Sequence, residues 1–157
     1  MSTDLKACTE QLSAEHRLLM QLIYRNHNQH ASSHLFSYFK NLNRVLKLLT
    51  PERVNLTATK CEATLRSAAQ GKVTQSDLLE MNEVLVLLFA VVNMTAQGLD
   101  FSLKASDLVR HLLSKKLFLP LYTMLLAISA RIVHCLSDIF KHFSTQCNAL
   151  TLQLQVL

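Results

Sequence analysis

Glycine and proline occur only twice each in these 157 residues. So few turn-forming residues leave little room for tight β-turns, which argues against a sheet protein. The four cysteines, Cys8, Cys61, Cys135 and Cys147, stand far apart with no C-x-x-C pair, and no secretory leader pattern opens the sequence. Reduced thiols in the cytosol or nucleus are therefore expected. H-E-x-x-H is absent, as is any glycine-rich phosphate loop. The strongest apolar runs, residues 84–92 and 117–130, fall short of the roughly 18 residues that span a bilayer. They predict buried helices and no membrane partner.

What the chain does have is leucine, which prevails over Val, Ile and Thr in a composition that is 50% hydrophobic. The fold class expected is all-α. Its length suits one domain over residues 1–157, a bundle of about five or six helices. Ser13 is a candidate cap for an apolar stretch reaching Tyr24. An amphipathic stretch over 35–49 ends at Thr50-Pro51, because the residue before proline is pushed out of helix. A more polar helix over 53–69 closes at Gly71, and Thr74 with Asp77 resembles a capping box opening the next. That acidic helix runs to Gly98, its second half (84–92) apolar all round and expected at the centre of the core. A turn at 100–102, a helix over 103–117, a stop or kink at Pro120 and a final helix from Leu121 to about Cys147 complete the order. The final helix is expected to pack antiparallel on the acidic one, with residues 148–157 as a frayed continuation.

Charge is divided unevenly along the chain. The net charge is +5 with a pI near 9.2, which fits an acidic partner such as RNA. Between His16 and Pro51 there is no Asp or Glu, against Arg17, Arg25, Lys40, Arg44 and Lys47 with four histidines. Residues 73–103 are the reverse, with Asp77, Glu80, Glu83 and Asp100 and no Lys or Arg.

The sharpest local signal is Tyr24-Arg25-Asn26-His27-Asn28-Gln29-His30, a polar run between two apolar segments. If helix continues through it, Tyr24, Ala31, Leu35, Tyr38, Phe39, Leu42, Val45, Leu46 and Leu49 share one face, and Arg25, Asn26, Gln29, Ser33, Lys40, Arg44 and Lys47 the other. His27 and Asn28 then point toward the apolar side and need partners, since an unpaired buried polar group costs about 1–3 kcal/mol. The alternative is a break near Ser32 or Ser33, with a hydroxyl capping a new helix from His34.

Two readings of Arg25, Asn26, His27, Asn28, Gln29 and His30 weigh about equally on residue types. Arginine's planar fork suits phosphate, amides read base edges, and Tyr24, Phe36, Tyr38 and Phe39 stand ready to stack on unpaired bases. A buried polar network fixing two helices in register needs the same residue types, in a protein-interaction module that touches no nucleic acid. His27, His30 and His34 fall at metal-like spacing but lack a Cys or carboxylate to complete a ligand set, so no metal and no cofactor are expected. Hydrolysis by a histidine pair with Arg25 on the phosphate lacks a carboxylate to orient either imidazole, so no enzyme is expected. His111, His134 and His142 read as helix-surface or satisfied core residues, and Met81, Met94 and Met124 as core filler.

The 24–30 run, preceded by an apolar helix and followed by an aromatic amphipathic segment ending Arg44-Val45-Leu46-Lys47-Leu48-Leu49, resembles the family of the RNase MRP-specific protein subunit and the nucleolus and neural progenitor protein. The resemblance covers residues 12–49 by motif and 84–143 by hydrophobic pattern. It implies an all-helical, non-catalytic subunit of a nucleolar ribonucleoprotein whose RNA cleaves precursor ribosomal RNA, with any Mg²⁺ belonging to that RNA. Its partners would be an RNase MRP-type non-coding RNA and the complex's other protein subunits, in nucleus and nucleolus. By position, Arg25, Asn26, Asn28, Gln29 and His30 carry over.

Overall fold

The computed structural model describes residues 3–30, 33–69, 75–116 and 118–156. Five helices hold nearly all of them: α1 Thr3–His30, α2 His34–Leu48, α3 Pro51–Ala69, α4 Gln75–Ser114 and α5 Leu119–Val156. No strand occurs among the described residues.

The organising unit is the α4–α5 hairpin. At 1.5 Å per residue, helices of 40 and 38 residues run for about 60 Å. The facing sides repeat at alternating three- and four-residue steps: Met81, Val84, Leu88, Val91 and Thr95 on α4, and Tyr122, Leu125, Ser129, Ile132, Leu136, Ile139 and Phe143 on α5, all buried. Such a repeat keeps one seam of each helix toward the other along their length. Gly98 sits in this seam and does not end a helix. A Cβ there would lie 2.9 Å from Leu136 Cδ1 and 3.5 Å from Val45 Cγ1. Its missing side chain lets α5 and α2 close on α4, and α4 therefore runs straight through the turn expected at 100–102.

The chain reverses between α4 and α5. The Lys115 and Lys116 amides donate to Leu112 and Leu113 carbonyls at 3.1 and 3.0 Å. Lys116 and Phe118 take left-handed backbone angles, φ 56 and 48, which cost L-residues roughly 1–2 kcal/mol each. Pro120 lies in the first turn of α5, where its missing N–H has no helical acceptor to lose. The fixed bend is thus made before the proline, not by it.

α1, α2 and α3 pack on this hairpin. α1 runs antiparallel to α5: its start meets Asp138 and His142, and its end meets Phe118 and Tyr122. Leu5, Leu12, Leu19 and Ile23 form its buried stripe, and the helix passes Ser13 without a cap. Ser33, extended at φ −77 and ψ 139, caps α2 by accepting from the Phe36 amide at 3.2 Å. The break is therefore real, and the face drawn continuously across residues 24–49 does not exist. Thr50 caps α3 through the Arg53 amide, 3.3 Å, with Pro51 at the first helical position. The expected cap at Gly71 and box at Thr74 lie outside the described residues.

Two expectations about burial are corrected. Residues 84–92 are not covered all round: Val84, Leu88 and Val91 are buried, whereas Val86 and Phe89 are 67% and 61% exposed. Met81 fills core, but Met124 is 53% exposed. The long helices also exceed the length inferred from the apolar runs. Leu78–Ser114 and Leu119–Gln155 are both long and apolar enough to cross a membrane, with 33% and 39% of their most apolar windows buried inside the bundle.

His142, half-buried beside Phe143 at 5.3 Å, has its pKa lowered chiefly by burial, against a smaller opposing effect of Glu62. The native chain resists the proton that the unfolded chain accepts near pH 6.5, so stability falls as pH drops through and below that value. Thermal unfolding at pH 7.5 and 5.5 should show this loss, and His142→Gln should lose less between the two.

Candidate RNA and subunit interface

The polar run forms the last turns of α1. A 100° step per residue deals its members to different sides of that helix, so they do not make one surface. Asn26 is half-buried and donates its amide to the Leu22 carbonyl of its own helix at 2.9 Å. His27, Asn28 and Gln29 are exposed. The expectation that His27 and Asn28 face the apolar side fails, because α1 ends before the segment that would have covered them.

His30 is half-buried between the ends of three helices. Its ring stacks on Phe36 at 5.2 Å and 21°, and meets Phe118 edge-on at 5.1 Å and Tyr122 at 6.3 Å. Phe36 and Phe39 are fully buried. Neither can stack on a base, whereas Tyr24, 85% exposed, can.

Arg25 lies on the α5 side of α1. With Leu18, Gln21, Leu22, Met124, Ala127, Ile128 and Arg131 it lines a groove of about 190 Å³. Leu18 and Met124 are 44% and 53% exposed along it. Arg131 Nε donates to Glu15 Oε1 at 2.5 Å, Glu15 being nearly buried and Arg131 half open. With the Glu15 carboxylate almost wholly out of water, the pair ties α1 to α5, and removing Arg131 would leave a buried charge without its partner.

Lys40, Arg44 and Lys47 fall on one side of α2, as their spacing predicts. Arg44 and Lys47 are exposed and Lys40 half-buried. Arg44 reaches only the Asn41 amide oxygen, 3.4 Å away. Among the described residues none of the three has a carboxylate within ion-pair distance. On the neighbouring side of α1, His16 shares a 2.7 Å hydrogen bond with Asn43. That contact, rather than the 25–30 run, is the polar link between α1 and α2. Arg17, Tyr24 and His27 on α1 are exposed as well, and all of these residues lie within the acid-free stretch.

Sequence reasoning missed the Glu15–Arg131 pair and the α1–α5 groove. A signal was present: Leu18, Gln21, Leu22 and Arg25 on α1, and Met124, Ala127, Ile128 and Arg131 on α5, share the spacing +3, +4, +7. Two such faces match only once the helices are known to be neighbours. Among the described residues no three His, Cys, Asp or Glu converge as metal ligands. The Cys61 thiol, buried on α3, is pushed up to about 11 by burial, which leaves it protonated and unreactive at neutral pH.

The N-terminal family model of the nucleolus and neural progenitor protein matches residues 1–151. The chain belongs to this family. The match spans all five helices and reaches beyond both segments on which the resemblance rested. No curated protein and no solved structure matches the chain. The family's name is that of a nucleolar protein, and the all-helical bundle is the architecture the resemblance implied.

Proposed function

We propose that the chain is a non-catalytic subunit of a nucleolar, RNase MRP-like ribonucleoprotein acting in precursor ribosomal RNA processing. It holds the complex's RNA on the solvent side of the α1–α2 pair and neighbouring subunits on adjoining surfaces. One observation carries the RNA contact: half-buried Lys40 and exposed Arg44 and Lys47 form a stripe with no carboxylate partner among the described residues, in a stretch that lacks acids from His16 to Pro51. Phosphates would replace the counterions along it, and the exposed Tyr24 of α1 would offer a face to an unpaired base. Arg25 and Gln29 would serve the α5 side, while Asn26 and His30 hold the helix end in place. Cleavage chemistry would belong to the RNA and its Mg²⁺.

The test is a triple substitution, Lys40→Ala with Arg44→Ala and Lys47→Ala, in the 157-residue chain. Affinity for the RNA component of the complex, measured by filter binding, should fall at least about tenfold, and the dependence of log affinity on log salt should flatten by up to about three. Melting should shift little, since none of the three is fully buried and none is ion-paired among the described residues. Equal affinity and slope in wild type and variant would sink the proposed RNA contact. Cross-linking in cells with sequencing of attached RNA then locates the site.

A further inference from the structure

α4 carries two lengthwise seams. The inner one, through Met81, Val84, Leu88 and Val91, is buried against the rest of the bundle. On the opposite side Leu79, Val86, Phe89 and Leu103 are 66%, 67%, 61% and 52% exposed. Asn82, Asn93, Ala96 and Asp100, also exposed, fill the intervening steps. The positions 79, 82, 86, 89, 93, 96, 100 and 103 alternate steps of three and four without a break. An apolar residue placed singly on a surface needs no explanation, but a seam held in this phase over three heptads is the pattern by which one straight helix seats another.

We propose that this outer seam pairs with the same seam of a second copy of the chain, α4 against α4 and antiparallel. The polar positions select both partner and direction. In the register that sets Leu79 against Leu103 of the second copy, Val86 meets Ala96, Phe89 meets Asn93, and the Asn82 amide meets the Asp100 carboxylate. Asn82 and Asp100 then face groups they can bond, Asn93 lies against the Phe89 ring, and the two-fold axis passes close to Val92. The flanking Leu85 and Leu99, half-buried in the monomer, come opposite each other and widen the apolar strip. A parallel arrangement would bring Asp100 against Asp100 in the seam, a like-charge contact only partly offset by each carboxylate's own Lys104 at 2.7 Å, which antiparallel pairing avoids. The surface is separate from the α1–α2 stripe, so RNA binding and pairing do not compete for the same side chains.

Sedimentation equilibrium of the 157-residue chain should show a reversible dimer, dissociating in the micromolar range because four of the eight seam positions are Asn, Asp or Ala. Phe89→Glu should raise the dissociation constant by about a hundredfold or more while leaving helical circular dichroism and melting nearly unchanged. Should Phe89→Glu unfold, Ala96→Glu places the same charge at an exposed step of the seam. Direction is read by disulfide trapping: chains with Asn82→Cys mixed with chains carrying Asp100→Cys should cross-link far more than either alone. A monomer at all concentrations up to about 100 µM, a dimer insensitive to both glutamates, or cross-linking of Asn82→Cys with itself as efficient as the mixture would each overturn the proposal.

Discussion

Phe36→Ala is expected to lower the unfolding free energy by about 3–5 kcal/mol, the range for emptying a fully buried phenylalanine site. For a chain of this size that corresponds to a drop of roughly 10 °C in melting temperature. Phe36 is fully buried and also supports the His30 ring at 5.2 Å. Its loss opens a cavity where the end of α1 meets α2 and the α4–α5 turn. Tyr24→Ala, at a side chain 85% exposed, should change stability by less than about 0.5 kcal/mol. The pair separates two roles that sequence treats alike. If Phe36→Ala melted with wild type and Tyr24→Ala collapsed, the placement of the aromatics would be wrong.

Gly98→Leu is expected to cost about 3 kcal/mol or more, because the new side chain must occupy space already held by Leu136 and Val45. Gly98→Ala is the sharper comparison. Alanine gains about 1 kcal/mol over glycine in a helix interior, yet its Cβ would stand 2.9 Å from Leu136 Cδ1, the end of a side chain that is itself fully buried. The two effects should nearly cancel. Urea denaturation of both variants reads the result, and a Gly98→Leu protein as stable as wild type would remove the close α4–α5 approach from the account.

Much of the fold was legible. Scarce glycine and proline, with apolar residues three and four apart, point to helices and nothing else, and Thr50-Pro51 marks a boundary whose mechanism is local. The cap near residue 33 was one of two open alternatives, and it proved correct because Ser33's hydroxyl satisfies the Phe36 amide. The stripe of Lys40, Arg44 and Lys47 followed from spacing alone. Gly98 was misjudged for a physical reason: a glycine that ends a helix and one that admits a neighbouring helix look the same in one dimension, and only Leu136 distinguishes them. The 24–30 run was overread as a unit. Its residue types were informative, but consecutive helical positions point in all directions, so Arg25, Asn26 and His27 meet different surroundings.

By itself, then, the sequence determined the all-helical class and the basic and acidic division of the chain, since each depends on residue types and on residues a few positions apart. Tertiary structure decided which apolar faces are covered. Leu88 and Phe89 are neighbours of similar hydrophobicity, yet one is fully buried and the other 61% exposed. Burial belongs to a pair of surfaces, and the α5 residues that bury Leu88's side of α4 lie dozens of positions away in the chain.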